Sequence, residues 1–166
     1  MRPTLRKLVL LAHITTSTGW LGAVATFLAL AIAGLTCPDQ QTVRSGYVAM
    51  PLVTWQVIAP LAFAALLTGL ALSLGTPWGL TRYYWVLAKL LINSVSIPIL
   101  LVHTRIISEV ANAAAKGHLS DADLRGPREQ LVVVAVAAVL ALLAASALSV
   151  FKPRGMTPLN RRKSLE

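Results

Sequence analysis

From Leu8 to Leu35 the chain carries no Asp, Glu, Lys or Arg. A helix of about 20 apolar residues crosses the hydrocarbon of a bilayer. A surface helix of a soluble domain instead alternates an apolar stripe with a polar face. Three more apolar runs follow, from about Gly46 to Leu74, from Trp85 to His103, and from about Gln130 to Phe151. Of the 166 residues, 56% are hydrophobic and 13% are charged, about half the charge of an ordinary soluble domain. The runs leave little chain for a separate soluble unit. The expected fold is therefore all-α, an integral membrane four-helix bundle over residues 1–151, with a basic tail over residues 152–166. The first run exceeds the roughly 7–15 residues of a signal-peptide core. Ala31-Ile32-Ala33 fits a small-x-small cleavage pattern, but the length favours an uncleaved first span.

The formal net charge of +9 would suggest nucleic acid in a soluble chain. Here the basic residues flank apolar runs, so they read as topology signals and contacts to membrane lipid, with no nucleic-acid partner. Arg2, Arg6, Lys7, Arg82, Lys152, Arg154, Arg161, Arg162 and Lys163 fall on one side of four successive crossings. Arg44, Arg105, Lys116, Arg125 and Arg128 fall on the other, among nearly all the acids. The basic excess marks the cytoplasmic side. Both termini are expected there, in a multi-pass protein of the bacterial cytoplasmic membrane running up, down, up, down. Short connections make sequential helices antiparallel neighbours.

Punctuation sets the boundaries. Thr36–Ser45 is a polar loop on this reading, which places Trp55 and Gln56 near the membrane interface. Pro60 should kink the second span or open its hydrogen-bond ladder. Gly75–Trp85 is a turn crowded with aromatics, as at an interfacial belt. The third helix should continue past the bilayer and stop at Gly117. Ser120–Asp123 has the form of a capping box, and Pro127 suits a first helical turn. Cys37, the one cysteine, excludes an intrachain disulfide and is read as a bystander.

The third run is the informative one. At ~100° per residue, Trp85, Lys89, Asn93, Ser96 and His103 share one helical face. A charge at the centre of an apolar span costs roughly 2.5–3.5 kcal/mol on insertion scales. On the first helix His13 shares a face with Thr16, Ser17 and Trp20. At ~1.5 Å per residue, His13 and Lys89 lie at similar depths of roughly 6–10 Å from the cytoplasmic boundary. Spans one and three run in the same direction, so the two side chains can face each other across the bundle. His13, Ser17, Trp20, Lys89 and Asn93 are thus the candidate binding residues, for an acidic or carbonyl-bearing apolar ligand. A haem propionate, a quinone or a lipid head group would each fit. The structural alternative is that Lys89 snorkels to the interface and His13 bonds a backbone carbonyl.

His103 lies ~21 Å further along the third helix than Lys89. It cannot share one haem with His13, so a haem b would have His13 alone as its protein ligand. His118 reads as solvated. No metal-ligand spacing, Ser/His/Asp set, phosphate loop or dinucleotide fingerprint appears. No span carries an acid suited to proton or sodium transport. Helix four, nearly all Ala, Val and Leu, offers a face for a membrane-protein partner or a homo-oligomer.

Leu11-Ala-His13-Ile-Thr-Thr-Ser-Thr-Gly19-Trp20-Leu-Gly22 resembles an opening shared by several small bacterial membrane families, and Trp85-x-x-x-Lys89-Leu resembles their second element. These are the HemJ-type protoporphyrinogen oxidases, the copper-resistance D-type membrane domains, and an uncharacterised family of four-span bacterial integral membrane proteins. Length, span number and the Lys152-Pro-Arg-Gly-Met-Thr-Pro158 tail are most similar to the last. The HemJ-type likeness implies haem or porphyrin at His13 and Lys89, and porphyrinogen oxidation. After Trp20 the sequence departs from that type, with Val24-Ala-Thr26-Phe27 in place of its aromatic, Pro- and Arg-containing continuation. The copper-resistance likeness implies further spans and metal-binding Met or His, which this chain does not have. Enzyme and non-enzyme readings both stay open.

Overall fold

The computed structural model describes residues 2–75, 83–119 and 124–151. The described residues are helical almost throughout. Helix α1 spans Pro3–Thr36, α2 spans Gln40–Val53, α3 spans Ala59–Gly75, α4 spans Tyr84–Lys116 and α5 spans Arg125–Phe151. A π-helical turn, Thr54–Ile58, joins α2 to α3 in one continuous span. Four helices result that are long and apolar enough to cross a membrane: Pro3–Thr36, Gln40–Gly75, Tyr84–Lys116 and Arg125–Phe151. The basic tail, the Trp78 and Arg82 part of the aromatic turn, and the Ser120–Asp123 capping box lie outside the described residues.

Local chemistry sets the ends. Pro3 occupies the first turn of α1, where a missing N–H costs nothing. Gly117, at φ 80°, ends α4, and the His118 and Gly117 N–H groups bond back to the Ala113 and Ala114 carbonyls at 3.0 and 3.1 Å. That satisfies carbonyls that would otherwise be orphaned. The second span starts earlier than the hydropathy suggests, at Gln40 rather than Gly46. Asp39 caps it, accepting from the Gln41 and Thr42 N–H groups at 3.3 and 3.0 Å. The loop shrinks to residues 37–39. Pro60 acts as expected on the ladder, because it has no N–H for the preceding turn and its ring crowds the carbonyl one turn back. The chain widens there, and the Ala59 N–H bonds to the Thr54 carbonyl.

Helix α1 packs against the second span and α5, and α4 packs against the same two. Spans one and three therefore stand on one diagonal of a four-cornered bundle. Gly34 lies against Tyr47, Gly19 against Leu61 and Gly69 against His13, so α1 and the second span run antiparallel. His103 meets Gln130 and Lys89 meets Ser149, so α4 and α5 do as well.

The core is unevenly closed. Buried residues of α1 begin at Trp20 and end at Gly34. Those of α3 run from Ala59 to Ala65, and those of α5 from Leu131 to Leu142. Residues 3–19, 66–75 and 143–151 include no buried position, and at that end only Trp85 and Val86, in the first turn of α4, are buried among the described residues. In the closed half Trp20, Phe27, Tyr47, Ile58, Ile107 and Leu131 interlock. Large apolar side chains instead cover the outside, Leu67, Leu91, Val133 and Leu140 among them, each more than 60% exposed. Such an apolar outer surface accords with four helices that are long and apolar enough to cross a membrane.

Candidate functional site

The open end gathers polar side chains from all four spans. On α1, the His13 imidazole packs against Gly69, where a Cβ would come within 3.1 Å of its Cε1. Its Nδ1 is 3.1 Å from both the Ala65 carbonyl and the Thr68 hydroxyl oxygen. A carbonyl only accepts, and the Thr68 O–H already donates to the Ala64 carbonyl at 2.6 Å. Nδ1 is therefore the donor. In the neutral ring this leaves the lone pair on Nε2.

On α4, the inward positions include Trp85, Ile97, Ile107 and Val110. Lys89 shares that side of the helix. Its ammonium stands 4.6 Å from the centre of the Trp85 ring and donates to the Ser149 hydroxyl of α5 at 3.1 Å. A cation over an indole face is held by the ring quadrupole. His13 and Lys89 stand at the same end of the bundle, on the two spans of one diagonal. Each side chain nonetheless takes its hydrogen bond from the adjacent span, His13 from α3 and Lys89 from α5.

The remaining sequence candidates separate. Ser17 and Asn93 are half-buried at the open end. Trp20 is 4% exposed and belongs to the closed core, where it marks the boundary between the two halves. The Thr16 hydroxyl turns back to the Ala12 carbonyl at 2.8 Å. His103 lies toward the opposite end, with Nδ1 on the Ile99 carbonyl at 3.0 Å and Nε2 3.4 Å from the Gln130 amide. Among the described residues no three His, Cys, Asp or Glu side chains are grouped as metal ligands.

The sequence reasoning passed over a second polar cluster, at the closed end. Arg128 stands in the first turn of α5, where the helix dipole disfavours a cation. Its guanidinium donates to the Gly34 carbonyl, to the Leu119 carbonyl at 3.2 Å and to the Tyr47 hydroxyl at 3.1 Å. It also lies 5.4 Å from the centre of the Tyr47 ring. Arg44 donates to the Ala115 carbonyl at 2.6 Å. The C-termini of α1 and α4, the negative ends of two helix dipoles, are thus each capped by an arginine from a neighbouring helix. The signal available in the sequence was the sign of the Arg128 charge at a helix start that has no acid in its first turn. This cluster is a fastener; its polar atoms face one another.

The open end thus brings together the Lys89 ammonium, the His13 imidazole, the hydroxyls of Ser17, Thr68 and Ser149 and the Asn93 amide. Comparison with protein-family models, with curated proteins and with solved structures gives no match to this chain.

Proposed function

We propose that the chain is a multi-pass protein of the bacterial cytoplasmic membrane, termini on the cytoplasmic side, that holds an acidic amphiphile at the His13/Lys89 end. One observation carries this reading: His13, bonded to Ala65 and Thr68, and Lys89, set over Trp85 and bonded to Ser149, stand at the same end of the bundle, where α1, α3 and α5 bury no side chain. A cation in that layer strengthens its attraction to an anion because the surroundings screen little. The apolar walls suit the tail of the same molecule. The test is to extract and identify lipids that co-purify with the protein in mild detergent. An anionic lipid should accompany the wild type and fall away in Lys89→Met, whose cooperative unfolding in delipidated detergent shows that the bundle still forms. Equal lipid content in both proteins would refute the site.

A haem-linked or quinone-linked oxidoreductase of the HemJ-like type is the second reading. It is favoured by the donor role of His13 Nδ1 toward the Ala65 carbonyl, since metal-binding histidines are commonly oriented by such a bond on the other nitrogen. The donor set fits a single axial histidine, with Lys89 as a propionate partner. A Soret band in the purified protein that disappears in His13→Ala supports the haem form of this reading, and a colourless protein after haem supplementation excludes that form; the quinone form is excluded if organic extracts of the purified protein contain no quinone.

A further inference from the structure

We infer that the protein pairs with a second copy of itself through the exposed face of its second span, with Gln56 at the centre of the contact. Because that span begins at Gln40 and ends at Gly75, Gln56 stands near its middle and not at the interface. By rise per residue it lies about 18 Å beyond Arg44. On the reading of these helices as membrane-spanning, which this inference requires, that is hydrocarbon depth. Yet Gln56 is exposed on the outside of the bundle, and no described residue gives its amide a hydrogen bond.

Its neighbours sharpen the point. Trp55 is 51% exposed, and Pro60 leaves a carbonyl of the π-helical turn without its helical donor. Leu52, Phe63 and Leu67, at 65, 45 and 64% exposed, continue the same outward face above and below. An amide facing lipid has no water to bond. Interhelical amide bonds therefore drive association of membrane helices.

A second copy is the occupant that the chemistry selects. A carboxamide offers both a donor and an acceptor. A two-fold axis along the membrane normal brings the same residue of each copy to the same depth, and an isologous contact is self-complementary. Two Gln56 side chains can then satisfy one another reciprocally, with apolar side chains meeting on both sides. A lipid tail offers neither donor nor acceptor, and a different protein would need a matching polar group at that depth.

The experiment uses the full chain in phosphatidylcholine vesicles, with insertion checked by resistance to an alkaline wash. In a Cys37→Ser background, Leu52→Cys should form a disulfide-linked dimer under mild oxidation, while Leu140→Cys on the outside of α5 should not. Energy transfer between labelled copies, followed as lipid dilutes the protein, should show Gln56→Leu loosening the dimer by about three- to thirty-fold. Gln56→Leu removes an exposed amide, so it leaves the fold intact, and its melting temperature verifies this. Protein stripped by the wash overturns the membrane reading itself. Inserted protein that stays monomeric, links equally through Leu140→Cys, or dimerises unchanged in Gln56→Leu overturns the pairing alone.

Discussion

Gly34→Ala should be among the most damaging single-methyl additions in this chain. A Cβ on Gly34 would overlap Tyr47 Cζ and Oη and lie 2.7 Å from Cε2. The ring cannot swing away. Tyr47 is fully buried at 0% exposure, and Arg128 covers its face and bonds its hydroxyl. Overpacking of this kind costs about 1–3 kcal/mol. Displacing the hydroxyl also sacrifices a hydrogen bond to a charged group, roughly 1.5–3 kcal/mol. The better helix propensity of alanine returns about 0.5–1 kcal/mol. The net loss is about 2–5 kcal/mol, or a fall in melting temperature of roughly 5–20 °C for a chain this long. Thermal unfolding in one detergent provides the assay, with two internal controls. At Gly22 an added Cβ meets nothing within 4 Å, and at Gly46 it comes no nearer than 3.9 Å to Leu30. Both alanine variants should melt at or above the wild type. In a double variant with Tyr47→Ala the clash is absent, so Gly34→Ala should then cost almost nothing more. If Gly34→Ala melts like Gly22→Ala, the tight contact of α1 with α2 is not the feature that fixes this end of the bundle.

Two further outcomes follow from the same contacts. Arg128→Lys keeps the charge but not the planar fork, so one ammonium cannot serve the Gly34, Leu119 and Tyr47 oxygens together; a loss of about 2–4 kcal/mol is expected, and a wild-type melting curve would rule out the fastener. The Thr42 hydroxyl, then the Thr42 and Gln41 N–H groups, hold the Asp39 carboxyl below its usual 3.8. A carboxyl lowered by folding stabilises the fold above its unfolded value, and that contribution fades as pH falls through the lowered one. Wild type should therefore lose stability below pH 3.8 more steeply than Asp39→Ala, and parallel acid limbs would refute the cap.

What could be read from the residues depended on whether the signal was local. The four spans, the stop at Gly117 and the disruption at Pro60 follow from apolar length, a left-handed glycine and a missing N–H. The start of the second span does not show in hydropathy, because Gln40-Gln-Thr-Val-Arg44 is polar and its helix depends on the Asp39 cap. That misplacement carried Gln56 to the interface when it belongs at mid-span. Depth arithmetic brought His13 and Lys89 to one end, where the structure also has them. It could not name Thr68 and Ser149 as their partners. Hydroxyls on apolar helices commonly bond their own backbone, as Thr16 does, and no spacing reveals which ones also face a neighbouring span. Arg128 reads as a topology charge, and its position in the sequence does not reveal the carbonyls and hydroxyl it bonds.

The uneven packing gives the two ends different work. At the closed end, interlocked side chains and two arginine-capped helix termini concentrate the contacts that resist unfolding. The open end has few buried apolar contacts, so its local opening free energy must be the lower of the two. On the proposed reading, a ligand enters there without dismantling the core. Its binding would in turn raise stability by mass action, in proportion to the logarithm of its concentration over Kd. A polar layer set into the tight half would instead have to displace Trp20, Phe27 or Ile58 and incur the cost of a cavity. If His13 and Lys89 hold a ligand as proposed, they do so where the helices are least committed to one another, and the Arg128 contacts at the far end keep the bundle together.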